Sequence, residues 1–132
     1  MSIGSSFRII LLAWALAFTA AAVTTPSAMA QTARFLSVID DLPLMEGLNE
    51  DGDAAISFDS PTGRIVEAFA SGPVAADVIA AFYAETLPQL GWRRTSDQLF
   101  SRDDEVLKVE IGATKDGVTG TGVRFTLRPA GS

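Results

Sequence analysis

Apolar and polar positions alternate in five short runs between residues 54 and 128, and one stretch among them switches to three- and four-residue spacing. With no cysteine to staple the chain, these patterns predict an α+β domain held by its core alone: a two-layer sandwich, one main helix packed on an antiparallel sheet, in the order β-β-α-β-β-β.

Residues 1–30 stand apart from that domain. They hold a single charge, Arg8, an apolar run over 9–23, a Thr-Pro-Ser break, and small residues at Ala28 and Ala30. This is the pattern of a signal peptide cleaved after Ala30. The run is shorter than the roughly 20 apolar residues a bilayer-spanning helix needs, so no stable span is expected after processing. An uncleaved N-terminal anchor is the alternative. Arginine outnumbers lysine 8 to 2 in an alanine-rich chain. That bias points to a G+C-rich bacterial genome, and hence to a periplasmic or secreted destination. The sequence then divides into a signal peptide (1–30), an acidic N-terminal segment with an apolar stretch (31–53) and the α+β domain (54–132).

The net charge of −6 is unevenly placed. Residues 31–59 carry one base, Arg34, against seven acids, while residues 60–132 carry eight bases and nine acids. Such a field repels nucleic acid and anionic headgroups, so neither is expected as a partner.

Within 32–48, Phe35, Leu36, Ile39 and Leu42 have the spacing of one helical face, which predicts a short helix ending near Asp41. Pro43 then makes 41–45 extended. Its apolar residues require cover: they either lie over the domain or bind a protein partner through Leu42, Leu44, Met45 and Leu48.

Residues 46–53, E-G-L-N-E-D-G-D, are the one place that suggests a metal. Calcium needs six to eight oxygens from a sharply turned loop. Aligning Gly52 with the glycine of an EF-hand loop leaves only Asn49 and Asp51 on register and puts Phe58 where the bidentate glutamate belongs. A solvated acidic turn is the expected reading, and weak Ca²⁺ binding by Asn49, Asp51 and Asp53 the alternative. No cofactor is implied.

The first strand starts at Ala54, with Ile56 and Phe58 on its face; 60–63, Ser-Pro-Thr-Gly, reads as a tight turn, and 64–70 as the return strand. Ile65, Glu67 and Phe69 alternate there with Val66, Ala68 and Ala70, so pattern alone does not say which set faces inward. The helix follows. Val74, Val78, Ile79, Phe82, Thr86 and Leu90 define its expected face, Asp77 suits the first turn, Pro88 should kink the last turn, and Gly91 suits the left-handed position after it.

Phe82-Tyr83, Leu87 and Leu90-Gly91-Trp92 together resemble a segment, F-Y-x3-L-x2-L-G-W, of small exported bacterial domains of unknown function, in which a helix precedes antiparallel strands. About 20 residues carry the resemblance. It implies a fold and no activity.

Three strands close the domain: 92–95 or 98–102, then 105–112 with Leu107, Val109 and Ile111 on one face, then 122–128 with Val123, Phe125 and Leu127 inward. Lys115-Asp116-Gly117 marks the turn between the last two. The opposite face carries Lys108, Glu110, Arg124, Thr126 and Arg128 and is read as solvated or as an interaction surface.

Without His or Cys, the imidazole base, the thiolate nucleophile and most zinc and copper ligand sets are absent. The adjacent carboxylates Asp40-Asp41 and Asp103-Asp104-Glu105 do not form a facing pair on their own. The expectation is therefore a non-catalytic periplasmic binding or accessory domain with an unknown protein partner. The alternative is a small carboxylate-dependent hydrolase or Ca²⁺-dependent module built on 46–53. Edge-strand pairing into a homo-oligomer stays open.

Overall fold

The computed structural model describes residues 33–114 and 120–131, all within the unit Gln31–Ser132. The expected signal peptide and the 115–117 turn lie outside the described residues. No helix among these is long and apolar enough to cross a membrane.

One main helix packs against a seven-stranded antiparallel sheet. Two short strands, β1 (Arg34–Phe35) and β2 (Pro43–Leu44), pair with each other in a separate ribbon. β3 (Asn49–Glu50) and β4 (Ile56–Ser60), separated by the 3-10 turn Gly52–Ala54, both pair with the same edge of β5 (Gly63–Gly72). After helix α1 (Ala76–Gln89) come β6 (Arg93–Arg94), β7 (Leu99–Arg102), β8 (Glu105–Ala113) and β9 (Thr121–Pro129). The order across the sheet is β3-β5-β9-β8-β7-β6.

The main strand–helix–strand arrangement is as expected, and the structure adds detail at both ends. Both alternatives for the strand after the helix form, as β6 and β7, and three two-residue strands precede the hairpin. That hairpin has the expected two-residue turn: Ser60 pairs with Gly63, and the Ser60 hydroxyl donates to the Gly63 carbonyl at 2.5 Å.

The helix ends where local chemistry says it should. Gly91 has φ +88°, the Gly91 N–H donates to the Pro88 carbonyl (3.2 Å) and the Trp92 N–H to the Leu87 carbonyl (3.1 Å). These are the two bonds of a Schellman cap. Pro88 sits one residue before the helix end, where its missing donor costs a single backbone bond. The buried face differs from the expected one: Ile79, Tyr83 and Leu87, one turn apart, are buried, while Val78 and Leu90 are exposed. The helix starts at Ala76, so Val74 of the expected face precedes it, and its orientation follows the sheet beneath it.

Residues 35–42 form no helix. Asp41 has φ +62°, and the Leu36 N–H donates to the Leu42 carbonyl (3.0 Å), which closes the segment into a loop. Leu36, Ile39, Leu42, Leu44 and Leu48 all point into one core with Val66, Ala68, Ala70, Leu107, Val109, Val123 and Phe125. Residues 36–48 are thus built into the same core as the rest of the domain.

Candidate functional site

The registers divide the sheet into two chemically distinct faces. Cross-strand partners share a face. One face carries Val66, Ala68 and Ala70 of β5, Val123 and Phe125 of β9, Leu107 and Val109 of β8 and Phe100 of β7, all buried under α1 and residues 33–48. The other is open. Its rows run Ile56–Glu67–Thr126–Lys108–Leu99 across five strands and Phe69–Arg124–Glu110 across three.

The expected partner-binding residues belong to the covered side. Leu42, Leu44 and Leu48 are core residues and Met45 is half-buried against them. Tyr83 locks this segment down: its hydroxyl donates to the Pro43 carbonyl (3.0 Å) and accepts from the Met45 N–H (3.4 Å). Burial pushes the Tyr83 hydroxyl above the usual phenol range, and the Met45 N–H opposes this only in part. A partner reaching Leu42, Leu44 or Leu48 would have to pull the core apart. Cover, rather than contact, is what their position provides.

The acidic stretch 46–53 separates into three local structures. Met45–Leu48 is a turn closed by the Leu48 N–H on the Met45 carbonyl (3.1 Å), with Gly47 at φ +89°. Asn49 lies in β3, and Asp51 and Asp53 flank or enter the 3-10 turn, each of the three exposed. Among the described residues no three carboxylates come together as a metal-holding group. Extension over 49–50 separates the side chains that a calcium loop would have to fold around one point.

Two concavities stand out among the described residues. One, about 250 Å³, lies between Asp40, Asp41, Arg64, Trp92, Arg102 and Glu105. Both of its guanidinium groups have structural partners. Arg64 donates to the Ser57 hydroxyl (2.9 Å) and the Val38 carbonyl (3.0 Å), while Arg102 stacks 4.4 Å over the Trp92 ring and donates to the Leu90 carbonyl (3.3 Å).

The larger, about 480 Å³, lies on the open face. Its floor is made by absent side chains: Gly112 pairs with Gly122, Gly122 with Ser71, and a Cβ added at Gly112 would meet nothing. Phe69, Arg124, Glu110, Ile56 and Asp51 line it. Glu110 accepts from Lys108 (2.8 Å) and lies 3.6 Å from Arg124. The hydrogen bond from Lys108, ahead of the charges of Lys108 and Arg124, holds its carboxyl below the usual glutamate range. Ile56 and Phe58, each 50% exposed, stand beside this groove.

Lys108, Glu110, Arg124, Thr126 and Arg128, expected on this face, lie on it together with Ile56, Phe58 and Phe69, which the sequence pattern does not assign to it. Their signal was present as the alternation of Ile56 and Phe58 and of Ile65 and Phe69. It was masked because both faces of the return strand β5 carry apolar residues, Ile65 and Phe69 on one and Val66, Ala68 and Ala70 on the other. No known protein family, curated protein or solved structure matches this chain.

Proposed function

We propose that the chain is an exported bacterial binding or accessory domain without catalytic activity, and that the open sheet face is its binding surface. Its export rests on residues 1–30, whose charge, apolar length and Ala28/Ala30 pattern are those of a signal peptide. The observation that carries the binding reading is the pair Ile56 and Phe58, half-exposed on the face of a sheet that already has a complete core on its other side. Interfaces combine such an apolar centre with a charged rim, which Glu67, Lys108, Glu110 and Arg124 supply here.

The test is capture from the periplasmic extract of the producing cell, using the exported chain with a C-terminal tag. An Ile56→Ser/Phe58→Ser chain should keep its melting temperature and lose most of the captured partner. Val78→Ser, which alters an exposed apolar residue on the helix, should capture normally. Equal capture by all three chains overturns the assignment of this face.

A further inference from the structure

We infer that the outer edge of β4 is a strand-addition site whose occupant is an extended, positively charged segment of a partner protein. This deepens the binding-domain reading above and rests on it.

β4 pairs with β5 alone, and Ile56, Ser57, Phe58 and Asp59 are all exposed. The direction of its free backbone groups follows from one bond. The Asp51 N–H donates to the Phe69 carbonyl (2.8 Å), so the odd-numbered residues of β5 turn their polar groups toward β3 and β4. Backbone direction alternates along an antiparallel pair, so Ile56 and Phe58, opposite Glu67 and Ile65, bond to β5. Ser57 and Asp59 therefore aim their N–H and C=O groups outward. Among the described residues neither has a backbone partner on that side. Two such residues on alternate positions are a template for an incoming strand.

Side-chain chemistry selects what that strand carries. On the open side it would extend the apolar pair Ile56 and Phe58, which calls for apolar residues at alternate positions. On the other side it meets Asp59, and Asp53 lies just before β4, while Asp51, opposite Phe69, stands on the open side by the groove. None of these three carboxylates makes an ion pair among the described residues. Arg64, cross-strand from Asp59, turns its guanidinium to Ser57 and Val38 instead. Lysine or arginine at the intervening positions complements this edge. A second copy of the chain does not, because antiparallel pairing of β4 with itself brings the two acidic sets together. The other edge of the sheet ends in β6, only two residues long and both arginine, which blunts it as a template.

The probe is an octapeptide alternating Val and Lys, capped at both ends and titrated into the exported chain. Anisotropy should show saturable binding that weakens severalfold as ionic strength rises tenfold. Amide exchange should slow at Ser57 and Asp59. Ser57→Pro removes one outward donor and should weaken binding about tenfold or more. Asp53→Lys/Asp59→Lys, which does not touch the backbone, should do the same and carries the test if the proline chain fails to fold. Absence of binding at millimolar peptide, equal binding of a Val–Glu octapeptide, or dimerisation through β4 by sedimentation each overturns the inference. The binding-domain reading survives that failure if Ile56→Ser/Phe58→Ser still abolishes capture, and falls separately if it does not.

Discussion

The two faces of the sheet are made by the same strands and differ in nearly everything else. On the covered face, Val66, Ala68, Ala70, Leu107, Val109, Val123 and Phe125 are wholly buried beneath Ile79, Tyr83, Leu87 and residues 33–48. On the open face, Ile56 and Phe58 stand at the β4 edge, a Lys108–Glu110–Arg124 charge network lies across β5 from them, and a groove runs over glycine. The lesson is that the stability of this domain and the binding proposed for its open face rest on different side chains of one sheet. Either can be altered with little effect on the other.

The largest expected effect comes from emptying the covered face. Phe125 is fully buried and lies edge-on to Tyr83, their ring centroids 5.2 Å apart. Phe125→Ala should cost about 3–5 kcal/mol in chemical denaturation, near the whole stability of a small domain. A loss under about 1 kcal/mol would show that the two faces are not so divided.

Gly72→Ala probes the attachment of residues 33–48 to the sheet. A Cβ at Gly72 runs into the backbone carbonyl of Gly47 and comes within 3.2 Å of the Leu48 Cα, so β5 and the N-terminal segment must separate. Overpacking of this kind costs about 1–3 kcal/mol, and the loosened segment should exchange its amides faster than β8 and β9. Uniform exchange throughout would argue against a separable attachment.

Tyr83→Phe is a finer cut at the same joint, because it leaves the Pro43 carbonyl and the Met45 N–H without their shared partner. The expected loss is about 1–3 kcal/mol. It carries a pH signature. Burial raises the folded-state pKa of Tyr83, so the folded chain keeps a proton that the unfolded chain releases above about pH 10. Stability from this group is complete below that pH and is lost as pH rises through the folded pKa. The Tyr83→Phe variant should lack that component in denaturation curves measured between about pH 9 and pH 11. Parallel pH profiles for the variant and the parent chain would remove Tyr83 from the joint.

The smallest effect belongs to the open face. Phe58→Ser should change stability by no more than about 0.5 kcal/mol, since the ring is half in water already. A larger loss would make Phe58 part of the core rather than of a surface.

Much of the fold was legible in the sequence because its signals are local. The β4–β5 turn, the alternation of β8 and β9 and the cap at Gly91–Trp92 each depend on residues a few positions apart. Sequence alone thus determined an antiparallel sheet with one helix on it, the end of that helix, an acidic stretch over 31–59, and the absence of imidazole and thiol side chains. Three things were left to tertiary structure. Which face of the β4–β5 hairpin turns inward depended on β9, since Val66, Ala68 and Ala70 and their alternates Ile65 and Phe69 are both apolar enough to be buried. The helix buried Tyr83 and Leu87 rather than Val78 and Leu90 because that stripe meets the sheet. Residues 35–42 became a loop rather than a helix because Pro43 and Met45 are tied to Tyr83, about 40 positions away. A local pattern records what a segment is able to do on its own. Packing between distant segments chose among those options, since the buried area and hydrogen bonds gained across the chain outweigh local preferences of a few tenths of a kcal/mol per residue.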